Sequence, residues 1–94
     1  MAISGFRDQR LRDILARKAP KGFPSDLLAI TRRKLVMLDS ASSLDDLRIP
    51  PGNRLELLHG DRRGQHSIRV NDQFRLCFRW TEGGPDEVEF VDYH

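Results

Sequence analysis

His66-Ser67-Ile68-Arg69-Val70-Asn71-Asp72-Gln73-Phe74-Arg75-Leu76-Cys77-Phe78-Arg79-Trp80 decides the fold. Residues 66–71 alternate, with Ile68 and Val70 on one side and Ser67 and Arg69 on the other. That two-residue period is the mark of a half-buried strand. Asn71-Asp72 is a tight-turn signal. Beyond it Phe74, Leu76, Phe78 and Trp80 fall on one face, opposite Arg75, Cys77 and Arg79. The apolar stripe requires a covering layer, and Arg75 and Arg79 are then left facing water or a ligand.

The flanks supply the rest of the architecture. Residues 54–59 read as another strand, 60–64 as a hairpin-length loop, 81–85 as a loop and 87–93 as the last strand. Pro50-Pro51-Gly52 is a rigid break, and upstream of it the periodicity becomes helical. Residues 8–18 place Leu11, Ile14, Leu15 and Lys18 at helical spacing, and Ala19-Pro20-Lys21-Gly22 stops that helix. Ser25 is the expected N-cap of a second helix, with Leu27, Leu28, Ile30, Leu35, Met37, Leu38 and Ala41 on one half of its circumference. Lys34 falls within the same arc and is expected to snorkel to water. Residues 3–6 form a candidate opening strand, and 44–47 a further turn. The expectation is a single α+β domain over residues 1–94, with two N-terminal helices packed on a largely antiparallel, four- to five-stranded sheet.

Composition narrows the function. One cysteine excludes an intrachain disulfide framework and multi-thiolate zinc sites. No apolar run approaches the ~20 residues of a membrane span, and the N-terminus lacks a secretory apolar region, so the cytoplasm is the expected compartment. Residues 1–80 hold all 16 Lys and Arg and nine acids, an excess of seven positive charges. Residues 81–94 hold five acids and no Lys or Arg. Thirteen of the basic residues are Arg, whose planar fork suits phosphate. A polyanion such as nucleic acid is one reading of this balance, and a solvated surface paired to the acidic tail is the other.

The three histidines, at 59, 66 and 94, have no metal-ligand spacing, and there is no glycine-rich nucleotide loop. Cys77, inside a strand, reads as a small buried filler. Glu56, His59, Arg69, Arg75, Asp92, Tyr93 and His94 remain, and they include the base, cation and acid that RNA transesterification needs without a metal.

Four blocks bring these residues into register with a known family. Pro51-Gly52-Asn53-Arg54-Leu55-Glu56, Gly60-Asp61-Arg62, residues 67–75 and Val91-Asp92-Tyr93-His94 resemble the HigB branch of the RelE/ParE toxin superfamily, in particular its GraT-like members. The resemblance implies a RelE-like toxin of a type II toxin–antitoxin system. It implies a ribosome-dependent messenger-RNA endonuclease without metal or other cofactor, held inactive by a HigA-type helix-turn-helix antitoxin. Operator DNA would then be bound only through the toxin–antitoxin complex. By position, Glu56, Arg75, Asp92, Tyr93 and His94 are the implied catalytic group, and Arg54, His59, Arg62, Arg63, Arg69 and Arg79 the implied RNA contacts. Two positions depart from the well-known ribosome-dependent members, which carry His where Glu56 stands and Lys where His59 stands. Slower or altered cleavage is the expectation. The competing readings are a ParE-like inhibitor of DNA gyrase and a non-catalytic module that binds nucleic acid or protein.

Overall fold

The computed structural model describes residues 2–92. Helix α1 (Gln9–Leu15) starts at Asp8, whose side chain accepts the Arg10 N–H at 3.1 Å and pairs with the Arg10 guanidinium at 2.8 Å. The Arg10 side chain, more than any other group, holds the Asp8 carboxyl below its usual range. The helix ends three residues short of the expected Lys18. Arg17 turns left-handed (φ 65°), and the N–H groups of Lys18 and Arg17 reach back to the carbonyls of Asp13 and Ile14. That is the hydrogen-bond pair of a Schellman C-terminus.

Ser25 does not cap the second helix. It opens a 3₁₀ turn (Ser25–Leu27), and α2 follows as Leu28–Ser40. Lys34 does not reach water either. It is buried, and its ammonium donates to Asn53 Oδ1. Asn53 is itself fully buried and donates to the Leu47 carbonyl at 3.1 Å. Burial lowers the Lys34 pKa, with Arg33 and Arg69 adding to the effect. A buried ammonium needs a partner, and the rigid segment around Pro51–Asn53 brings one to it. This polar node ties α2 to the chain that enters the sheet.

The sheet contains β1 (Glu56–Leu57), β2 (His66–Arg69), β3 (Phe74–Thr81) and β4 (Gly84–Asp92), antiparallel in that order. The first strand is far shorter than residues 54–59, because Arg54 adopts a left-handed conformation (φ 46°) at the end of the Pro51–Asn53 turn. Gly84 and Pro85 belong to β4 rather than to the loop, so the β3–β4 connection is a tight turn at Glu82-Gly83. The opening segment contributes one parallel bridge, Phe6 to Val88, beside a bulge in β4 where Glu87 takes φ 52°.

The apolar stripe is covered as expected. Leu76 and Phe78 are fully buried with Leu11, Ile14, Leu35, Leu38, Ile68 and Val88 between sheet and helices. Phe90 stacks on Phe74 (centroids 4.5 Å apart) and tilts against Phe23 (4.8 Å). Among the described residues no helix is long and apolar enough to cross a membrane.

Candidate active site

The register sets which side chains can meet on the face opposite the helices. One row across the sheet is Glu56, Ser67, Cys77 and Glu89. The next is Arg69, Arg75 and Val91. Paired positions lie about 5 Å apart at Cβ, so Arg69 and Arg75 would repel if their guanidiniums stayed above one another. They turn apart. Arg69 pairs with Asp72, in the turn past the β2 end. Arg75 leans over β2 toward β1; its Nε donates to Ser67 Oγ of β2 at 2.7 Å and its Nη2 to the carbonyl of Arg54, just before β1, at 2.6 Å.

This clamp explains two local features. Ser67 is fully buried although its strand position faces outward, because Arg75 lies over it. Arg54, left-handed just before β1, offers its carbonyl to the guanidinium. Arg75 is thus held at the β1 side of the sheet, on the face that carries Glu56. Glu56 is exposed, with no ion-pair partner among the described residues.

The remaining implied residues divide. Arg62 and Arg79 are on this face but engaged, Arg62 with Glu89 at 2.9 Å and Arg79 with Glu87 at 3.0 Å. Arg7, from the opening segment, reaches the same two acids at 3.9 and 3.6 Å. Glu87 and Glu89 of β4 therefore neutralise Arg7, Arg62 and Arg79. Arg54 and Arg63 have exposed side chains. His59 is exposed and precedes the Gly60–Arg62 turn, outside the strands. Asp92 pairs in register with Phe74, not with Arg75, and accepts from Gln73 Nε2 at 3.0 Å. Its side chain therefore shares the Phe74 face, and Val91 is the β4 residue beside Arg75. Tyr93 and His94 lie outside the described residues.

Ser67 is a functional candidate that local sequence pattern does not reveal. Its alternation with Ile68 places it on the Arg69 face, but its contact with Arg75 depends on a register no local pattern specifies. Ser67 Oγ holds the Arg75 guanidinium, and for the RNA transesterification expected from the sequence Ser67→Ala should lower the maximal rate about tenfold with little change in KM or melting temperature. Steady-state kinetics beside thermal unfolding measure the split. An unchanged rate would leave Ser67 without that role.

Cys77 fits the filler reading, being fully buried, with its thiol pushed up by burial above all. Among the described residues no group of three metal-ligating side chains exists. His66 points to the helix side, its ring stacked on Phe78 with centroids 6.3 Å apart. Its Nδ1 is buried without a hydrogen-bond partner. Burial, and then the positive charge of Arg48, lower its pKa. The unfolded chain therefore takes up this proton before the folded chain does. The stability His66 contributes is present above the ordinary imidazole value of about 6.5 and is lost as pH falls through and below it. The melting temperature is expected to drop between about pH 7.5 and 5.5, and His66→Phe to flatten that slope. Asp8 and Asp46, whose carboxyls sit below their usual range, act only at lower pH. Parallel slopes for parent and variant would exclude His66 as the source.

Known proteins are similar to this chain in sequence. A family described as "RelE-like toxin of type II toxin-antitoxin system HigB" matches residues 4–94. Toxin HigB-1 of Vibrio cholerae serotype O1 is 53% identical over 60 residues, 64% of this chain and 63% of that protein, so the match spans less than two thirds of that relative. An uncharacterised protein of Haemophilus influenzae is 44% identical over 71 residues, 76% of this chain and 69% of its own length. Endoribonuclease HigB of Proteus vulgaris is 26% identical over 92 residues, 98% of this chain and 99% of its own. With two helices covering one face of a four-stranded antiparallel sheet, and a family match that runs from residue 4 to residue 94, the chain belongs to the HigB-like family of RelE-like toxins.

Proposed function

We propose that this protein is the toxin of a type II toxin–antitoxin pair and cleaves messenger RNA on the ribosome, under the control of a HigA-type helix-turn-helix antitoxin. The observation that carries the reading is the clamped Arg75 guanidinium on the sheet face that also bears Glu56. The name of the Proteus vulgaris relative, which aligns over 98% of this chain, supports RNA as the substrate class.

In this mechanism Glu56 takes the proton of a ribose 2′-hydroxyl. The 2′-oxygen forms a bond to the adjacent phosphorus, and the bond from phosphorus to the 5′-oxygen breaks. Arg75 stabilises the negative charge that builds on the phosphoryl oxygens. An acid of the C-terminal group Asp92, Tyr93 and His94, with His94 the foremost, protonates the departing 5′-oxygen. The products are a 2′,3′-cyclic phosphate and a 5′-hydroxyl. Arg54, Arg63 and His59 are exposed and face incoming RNA directly, whereas Arg62, Arg69 and Arg79 must exchange an acidic neighbour for phosphate. Expression of the chain without its antitoxin is expected to arrest growth, and Arg75→Ala or His94→Ala to relieve the arrest. Equal toxicity of both variants and the parent would contradict this site.

A further inference from the structure

The cations of this fold differ in whether a carboxylate meets them. On the sheet side Arg62, Arg69 and Arg79 are each matched to a carboxylate. Around the end of α1 and the start of α2 the situation is opposite. A cavity of about 300 Å³ opens there, with Ile14, Leu28, Ala19 and Ala29 as its apolar lining. Arg17, Lys18 and Arg32 complete it, and no acid lines it. None of these three cations forms an ion pair among the described residues.

Two details mark the cavity as more than a solvated gap. Arg32 Nε is buried with no hydrogen-bond partner. A desolvated guanidinium N–H without an acceptor is costly, and an arriving carboxylate would satisfy it. Arg17 occupies the left-handed position of the α1 C-terminus (φ 65°), where glycine fits without strain. A bulky cation stands at a position whose backbone favours glycine.

We propose that this crevice docks an acidic segment of the antitoxin, with an aliphatic or aromatic side chain in the cavity and its flanking carboxylates on Arg17, Lys18 and Arg32. The inference rests on the toxin–antitoxin reading above. A peptide fits better than RNA. The floor is aliphatic and offers no aromatic ring for a base to stack on, whereas a volume at the lower end of ligand clefts suits one or two side chains. The three cations supply the charge complementarity and a salt-sensitive association rate. The crevice lies in the helical layer, across the sheet from Arg75, so the two surfaces are separable by mutation.

The test uses the antitoxin encoded beside this chain and measures its affinity by calorimetry. An Arg17→Glu/Arg32→Glu variant is expected to bind on the order of 100-fold more weakly. Arg17→Gly is expected to lose about tenfold in affinity without a fall in melting temperature, which separates recognition from folding. Both variants are expected to cleave messenger RNA on ribosomes at the parental rate. Affinities within about twofold of the parent would overturn the docking site and leave the toxin–antitoxin reading intact. Unchanged antitoxin affinity with weakened ribosome binding would reassign the crevice to RNA. A parent chain that binds no antitoxin would remove both readings together.

Discussion

Arg75→Ala is expected to slow RNA cleavage by about 10²–10³-fold while the chain stays folded, the size of loss typical when one preorganised charge-stabilising donor is removed. The effect is large because this guanidinium is already oriented. Ser67 Oγ and the Arg54 carbonyl hold it before substrate arrives, so little reorganisation remains at the moment of reaction. The stability cost is small by comparison, about 1–3 kcal/mol for leaving the buried Ser67 hydroxyl without its partner. Arg75→Lys is expected to recover only part of the rate, since an ammonium cannot serve Ser67, the Arg54 carbonyl and a phosphate with one planar fork. Single-turnover cleavage on ribosomes measures both. A rate for Arg75→Ala within about threefold of the parent would remove Arg75 from the chemistry.

Phe78→Ala carries the largest effect on stability. Phe78 is fully buried at the centre of the stripe, beside the β3–β4 bulge, and its ring also supports His66. Truncation is expected to cost about 3–5 kcal/mol. Domains of ordinary stability hold only about 5–15 kcal/mol in total, so the loss is a large share of it. Denaturant titration measures the loss. A change below about 1 kcal/mol would show that the stripe is not the core that joins sheet to helices. Phe78→Leu, which keeps most of the volume, is expected to cost markedly less.

The fold is legible in the chain because its decisive signals are local. The alternation through 66–80 and the turn at Asn71-Asp72 specify a hairpin, and the Leu, Ile and Met arc of α2 specifies the layer that covers it. What escapes a reading of the chain depends on contacts between distant segments. Lys34 reads as a snorkelling side chain because Asn53, its acceptor, is 19 residues away. Ser67 reads only as a residue of the Arg69 side, because its meeting with Arg75 follows from register. Asp92 groups with Tyr93 and His94 by adjacency in sequence, which says nothing about which face a strand residue takes. The arginines of the basic body also read alike. In the fold, carboxylates pair with Arg62, Arg69 and Arg79, and Arg17, Lys18 and Arg32 stand without an ion pair among the described residues.

The most direct test of the central claim is end mapping on a defined messenger RNA, with purified protein added to translating ribosomes. The expected result is cleavage within the ribosome-bound message, with 2′,3′-cyclic phosphate and 5′-hydroxyl ends that disappear in Arg75→Ala and on addition of the antitoxin. Intact message under those conditions, with loss of DNA supercoiling in a parallel gyrase assay, would contradict it.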